Sequence, residues 1–325
     1  MEPLALFIQC WHTVVCCIGF FLNGLLIYLC IFKSPKTIQS FATFIINFAL
    51  NDLVECFFDM FLAYRVVPTP GTFVIFFVYN GFCTSFGQEF CKIGNSIFLH
   101  CLPHGLWSLL VSFAYRLYIF SNTALSRTRI VQILLIVYIP SFAQIFLFAP
   151  NFSDQETAQS RALKYIPQYD LRNKTIASMS GIGNWSALYS LVHICAPIYP
   201  VYIAIFIIRR KIIQKLESVK IISKETKSMH QQLLKCLTFQ AFIPVFLLIG
   251  VCLYLICQFA IFSHPIIENA VFCIVIFMPT LSPVTYLYFV RPYRLFFKKP
   301  NEIASRFADT TRNTNSQQQM SKVEI

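Results

Sequence analysis

The stretch "IFLHCLPHGLWSLLVSFAYRLYIF", residues 97–120, decides how this chain is read. It is apolar enough to cross a bilayer as a helix, and longer than the about 20 residues a crossing needs. Yet it keeps His100, His104 and Arg116, ionisable groups of a kind that costs about 2.5 kcal/mol or more at mid-bilayer. A helix that carries such groups turns them into the interior of a bundle, where they find partners. The stretch therefore implies several companion helices.

Composition agrees. Of 325 residues 57% are hydrophobic and 12% charged, and the mean hydropathy is +0.63. A water-soluble domain of this size does not have that balance. Thirty-five Phe and 15 Tyr against 10 Gly exclude collagen-like, disordered and small disulfide-framework classes. Seven apolar runs of spanning length stand between charged or turn-rich breaks, near 7–32, 40–64, 94–120, 130–148, 187–208, 237–262 and 268–290. No internal repeat relates the halves, as it would in many transporters. The first run is too long for a cleaved signal peptide, and Glu2 stands where such a peptide carries Lys or Arg.

Charge orients the spans. With the amino terminus outside, Lys33, Lys36, Arg116, Arg127, Arg129, the run from Arg209 to Lys235 and the basic residues from Arg291 onward fall on the cytoplasmic side. The outside receives Arg65, Lys92, Arg161, Lys164, Arg172 and Lys174. This follows the positive-inside rule and explains the net charge of +12 without any nucleic acid. The sequons at Asn151, Asn173 and Asn184 all lie in one loop that the same orientation puts outside. Asn173 is the expected glycosylation site, since Asn151 and Asn184 sit close to helix ends.

Most of the 13 Cys lie inside apolar runs, as small packing residues do. Cys83 and Cys91 lie in the first long outside loop, where a disulfide is permitted. The segment from Arg209 to Cys236 reads as cytoplasmic extensions of spans five and six, with Ile212, Leu216 and Val219 on a partner-facing stripe. "RPYRLFFKK" (291–299) reads as a short eighth helix on the inner leaflet, with Tyr293, Phe296 and Phe297 on one face among basic residues. The chain divides into a seven-span domain over 1–295 and a mostly disordered cytoplasmic tail over 296–325 with no lipidation signal.

Within the bundle, Asp52, Glu55 and Asp59 share a face of span two, and His100 and His104 a face of span three. Opposite chain directions put Asp59 level with His100, and Glu55 near the depth of His104. A carboxylate and imidazole ladder is one reading; hydrogen-bonded pairs that fix helix rotation are another. H-x-x-x-H also has zinc-ligand spacing, but alone it is a weak signal. No nucleophile elbow or triad order supports an enzyme, so no catalytic residue, metal or cofactor is expected.

Short motifs then coincide with a known pattern. "NFALNDL" of span two resembles the N-x-A-x-x-D-L of rhodopsin-like receptors, with Asp52 at the polar hub and Asn23 as its usual partner. "AYRLY" puts Arg116, beside Tyr115, where those receptors keep the arginine of D-R-Y. "SPVTY" (Ser282, Pro283, Tyr286) resembles N-P-x-x-Y, and Pro200 and Pro244 supply bends. Arg116 lacks the preceding acid, Ser282 replaces Asn, and the loop between spans four and five has no Cys. With "YLCIFKSPKTIQSF" and "PTLSPVTYLYFVRPYRLFF", the chain is most similar to the nematode chemoreceptors of serpentine receptor class delta.

The resemblance implies a rhodopsin-like seven-helix bundle in the cell membrane, the ciliary membrane of a sensory neuron being one expected place. It further implies a sensory receptor for a small external chemical that signals through a heterotrimeric G protein. Its ligand would enter an outer-half cavity walled by spans two, three, five, six and seven, against His100, His104, Trp107, Asp59 and Glu55. Arg116, Tyr115, Asp52, Pro283 and Tyr286 would carry the switch. A ligand-gated channel or small-molecule transporter is the alternative.

Overall fold

The computed structural model describes residues 2–35, 38–72, 74–180, 184–218, 224–262 and 264–296. Lys36, Val219, Lys220, Phe297, Lys298, Lys299 and the rest of the 297–325 tail lie outside these described residues. Seven helical spans are long and apolar enough to cross a membrane: Leu4–Phe32, Gln39–Leu62, Gln88–Tyr118, Arg127–Asn151, Trp185–Ser218, Ser228–Gln258 and Pro265–Phe289. They match the seven apolar runs and extend beyond them where spans five and six run on into the basic segment.

Three spans are each built of two helices, and proline or a tight turn explains each break. Span five breaks at Ala196–Pro197, between Trp185–Cys195 and Ile198–Ser218. The expected bend at Pro200 is thus displaced. Pro200 sits in the first turn of the restarted helix, where its missing N–H costs nothing. Span six breaks at Ile243–Pro244, and span seven at Ile276.

The end of the bundle that carries residues 63–87 and 152–184 is covered by structure the apolar runs do not reveal. Span two stops at Ala63, whose left-handed backbone (φ 36°) turns the chain back and bonds to the Asp59 carbonyl at 2.7 Å. Strands β1 (Arg65–Pro68), β2 (Val74–Tyr79) and β3 (Thr175–Ser180) follow in an antiparallel sheet of order β1-β2-β3, with Val66 opposite Phe77 and Phe77 opposite Ala177. At Gly81 the chain passes so close to span two that a Cβ would meet the Phe61 carbonyl oxygen at 2.3 Å. A disulfide joins Cys83 to Cys91 at the start of span three. A cap helix, Gln155–Tyr165, lies on the sheet through Ala158 and Ala162, packed with Phe76, Val78 and Ile176. Asp154 caps it, accepting from the Thr157 N–H and hydroxyl at 2.8 Å each, and these bonds hold its carboxyl below the usual range.

Polar ties pin this cap to the spans. Glu268, buried at the start of span seven, accepts from the Tyr169 hydroxyl at 2.5 Å and faces Arg65 at 3.7 Å. Gln258 at the end of span six donates to the Thr69 and Thr72 carbonyls. Gln88 donates to the Ser153 and Ile176 carbonyls. Beneath the sheet, Tyr64, Phe98 and Phe272 pack ring on ring, with centroids 4.2 to 6.0 Å apart, and close the middle of the bundle.

At the opposite end Ile212 is buried in the bundle's own core with Leu233, Leu237 and Tyr293, and Leu216 is buried as well. That corrects the partner-facing reading of this stripe: the extensions of spans five and six use it to pack on the bundle itself. Helix 291–296 follows span seven. Its Tyr293 is wholly buried and bonds to Ser34 Oγ at 2.7 Å, so it docks the helix on span one instead of facing lipid, while Phe296 stays 37% exposed.

Candidate functional site

A cavity of ≈ 430 Å³ lies at mid-bundle, walled by spans two, three, five, six and seven. Its floor and sides are apolar: Phe48, Leu102, Leu106, Leu109, Ile198, Ile243, Leu247 and Met278. The few polar groups are Asn51, Asp52 and Glu55 of span two, Tyr199 and Tyr202 of span five, Gln240 of span six and Ser282 of span seven. This is the composition of a small-molecule pocket, mostly apolar with a few orienting groups. Asp52 and Glu55 are 7% and 2% exposed, and Oδ2 of one and Oε1 of the other have no hydrogen-bond partner among the described residues. A buried carboxylate without a partner is costly, so the cavity presents unmet acceptor capacity.

Neighbouring polar groups are satisfied across helices. Gln240 Nε2 donates to the Ser282 carbonyl at 2.8 Å and to Thr285 Oγ1 at 2.7 Å. Asn51 Nδ2 donates to the Cys101 carbonyl at 3.3 Å, and Asn47 Nδ2 to Ser108 Oγ at 2.9 Å. Pro283 has no N–H to give the carbonyl four residues back, and that carbonyl, of Pro279, accepts from Asn23 Nδ2 at 2.8 Å instead. Asn23 thus serves the carbonyl that Pro283 leaves free in span seven, not Asp52. Tyr286 lies wholly buried beside Phe48.

The carboxylate and imidazole ladder does not form. His100 Nε2 meets the Tyr138 hydroxyl of span four at 2.9 Å, and His104 packs edge-on to the same ring, with centroids 4.7 Å apart. Asp59 turns to span one, where its Oδ2 meets His12 Nδ1 at 2.5 Å with both side chains 1% exposed. Depth along each helix follows from 1.5 Å per residue, but each residue also turns the helix by about 100°. Cys101 and Gly105 line the cavity, and His100 and His104, one position back, face span four. Trp107 packs against the core, with its Nε1 unpartnered among the described residues. Of the five expected ligand contacts, only Glu55 lines the cavity, and the cavity sits at mid-bundle, below the expected half. Among the described residues no three His, Cys, Asp or Glu side chains come together as a metal would require.

Arg116 is buried within the bundle. It is 1% exposed, its Nη2 donates to the His230 carbonyl of span six at 3.0 Å, and its guanidinium lies 5.2 Å from the Phe41 ring. The guanidinium therefore latches span three to span six at the basic end of the bundle. Tyr115 turns the other way and packs on Phe44 of span two at 4.9 Å. At the sheet end the Asn151 and Asn184 side chains bond to each other at 2.8 Å, whereas Asn173 is exposed.

Sequence reasoning missed His12, Tyr138 and Gln240. His12 and Gln240 were visible as polar residues inside apolar runs, whereas Tyr138 looked like one aromatic among many.

A family model for the serpentine type 7TM GPCR chemoreceptor Srd matches residues 8–299. Serpentine receptor class delta-18 and class delta-19 of Caenorhabditis elegans are each 45% identical to the chain over 299 residues, covering 91% of it and 89% and 88% of their own lengths. Squid rhodopsin superposes with a TM-score of 0.64 over 94% of this chain and 87% of that one, at 12% identity, a likeness of fold alone. With a match that begins in span one and runs past span seven, the chain belongs to the Srd family of serpentine seven-helix chemoreceptors.

Proposed function

We propose that this receptor binds a small external chemical in the mid-bundle cavity and signals through a heterotrimeric G protein at the basic end. The sheet end faces outside in this reading, as the positive-inside distribution of Lys and Arg requires, and the protein resides in the cell membrane, in the ciliary membrane of a sensory neuron. One observation carries the reading: the cavity and the Arg116 latch are built on the same two helices. Cys101–Leu109 of span three and Gln240–Leu248 of span six line the cavity. Seven residues beyond Leu109 on span three and ten before Gln240 on span six, about 10 and 15 Å along the helices, Arg116 of span three donates to the His230 carbonyl of span six. A ligand that moves span six against span three therefore acts on that bond.

Glu55, Asp52, Gln240 and Ser282 are the ligand contacts, and Arg116, with Tyr115, Pro283 and Tyr286, carries the switch. His100, His104, Trp107 and Asp59 fix the rotation of their helices. The test is a ligand screen in cells that carry a G-protein dissociation reporter. A concentration-dependent response is expected, and Arg116→Lys, which keeps the charge but loses the planar donors, should cut it at least tenfold at unchanged surface expression. Currents evoked without G protein would point instead to a channel.

A further inference from the structure

We propose that the cavity is loaded from the bilayer, through a gap between spans five and six, by an amphiphile with a protonated amine at one end and an apolar body. This rests on the reading of the cavity as the receptor's ligand site and adds the route and the chemistry.

The route follows from where the cavity is open. Five of its lining side chains belong to the lipid-facing surface: Tyr199 and Ile203 of span five, 75% and 63% exposed, and Phe242, Val245 and Leu248 of span six, 68%, 44% and 51% exposed. Towards the basic end the seam between these spans is sewn shut, because Tyr202 donates to the Ala241 carbonyl at 2.8 Å and Arg209 to Thr238 Oγ1 at 3.1 Å. Towards the sheet end the partners differ. The helix Trp185–Cys195 packs on spans three and four, and Val245–Gln258 packs on span seven, so the two part from each other. Each span is broken at this level, at Pro197 and Pro244.

Among the described residues the sheet end offers no comparable opening. Leu102, Leu247 and Met278 roof the cavity and pack directly under the Tyr64, Phe98 and Phe272 cluster. Above that cluster lies the sheet, held down by Glu268, Gln258 and Gln88. A solute arriving from water would have to lift this whole cap, whereas one dissolved in lipid meets the gap directly.

The chemistry follows from the far wall. Among the described residues no Lys, Arg or His lines the cavity, so no cationic group there meets Asp52 and Glu55, each more than nine-tenths buried with an oxygen unpartnered. An ammonium group supplies both the missing charge and the missing donors. An apolar body behind it fills the apolar remainder and extends towards the gap. An anionic amphiphile would bring a third acid into the same space.

The experiment uses the full chain in lipid nanodiscs with octylamine, octanoate and 1-octanol as probes, and reads melting shift and radiolabelled association rate. Octylamine should raise the melting point where octanoate does not, since a ligand that binds only the folded state stabilises it. Glu55→Gln should weaken octylamine at least tenfold. Gly105→Leu is the second variant: Gly105 lines the cavity and a Cβ there meets only Asn51 Nδ2, at an ordinary 3.7 Å, so the larger side chain should take up cavity space and also weaken binding tenfold or more. Ile203→Trp combined with Val245→Trp should slow octylamine association at least tenfold and leave its equilibrium affinity within threefold.

Equal stabilisation by octanoate, or unchanged octylamine affinity in both Glu55→Gln and Gly105→Leu, overturns the chemistry. Unchanged association in the double Trp variant, or faster association when Glu268→Gln loosens the cap, overturns the route. No G protein is present, so octylamine binding by a receptor that fails to signal would count against the receptor reading alone. G-protein activation by a water-soluble ligand at full rate in the double Trp variant would overturn the lateral route alone.

Discussion

At the scale of single residues, the ionisable groups inside the bundle do different jobs according to whether they have a partner. His12 and Asp59 meet at 2.5 Å with Cys16 and Cys273 sulfurs beside them, and both side chains are 1% exposed. Removing one member leaves the other buried and uncompensated, which costs about 3–5 kcal/mol, while replacing both by apolar side chains of similar volume is near neutral. His12→Leu and Asp59→Leu should therefore each lower the unfolding midpoint of the purified receptor sharply, and the double variant should recover most of the loss. Additive losses in the double variant would mean that the two side chains act independently. Asp52 and Glu55 have no such partner and border the cavity. That contrast was half legible in the sequence: the three acids of span two are visible at spacings of three and four, but whether each turns to span one, to span three or to a void depends on rotation about the helix axis. Rotation is set by packing on all neighbours at once, and Gly19 shows how close that packing is, since a Cβ there would meet Cys56 Sγ at 2.7 Å.

At the scale of elements, hydropathy reports the spans well and the sheet hardly at all. A spanning helix announces itself over about 20 apolar residues, whereas β1 and β2 are 4 and 6 residues long and merge with the apolar character of their flanks. The signal that could have found them is the β-branched and aromatic run "RVVPTPGTFVIFFVY", with Pro70 and Gly71 at its turn. The third strand comes from a loop almost a hundred residues later, and nothing local predicts that pairing. The sheet's grip on span seven runs through Glu268, whose carboxylate takes the Tyr169 hydroxyl and faces Arg65. Glu268→Gln keeps an acceptor but removes the charge. Amide exchange at Val66, Phe77 and Ala177 should then rise about tenfold while that of the spans stays unchanged. Exchange that rises equally throughout would make Glu268 a support of the whole fold, and unchanged exchange would leave the cap held by Gln88 and Gln258 alone.

At the scale of the whole molecule, one sheet-bearing end and one basic end must face opposite sides of a membrane, and charge alone says which. The basic end gathers Arg209, Arg210, Lys211, Lys215, Lys235, Arg291 and Arg294, and the sheet end has only scattered Lys and Arg. Positive charge near span ends is retained on the cytoplasmic side, so the proposed orientation puts the sheet outside, where the Cys83–Cys91 disulfide would also find an oxidising compartment. The sequons give an independent handle, because only a lumenal or extracellular loop can be glycosylated. Geometry now separates the three. Asn151 spends its amide on the Leu147 and Phe148 carbonyls, and Asn184 spends its own on Asn151 while capping the first helix of span five. Asn173 is exposed in the turn before β3, and its side chain forms no hydrogen bond among the described residues. Glycosidase treatment of the receptor from a eukaryotic host should shift its mobility, and Asn173→Gln should remove most of that shift, whereas Asn151→Gln and Asn184→Gln should leave it. A chain that carries no glycan, and whose sheet end is cut by protease only after the cytoplasmic face is opened, would invert the orientation and with it the side from which a G protein could approach Arg116.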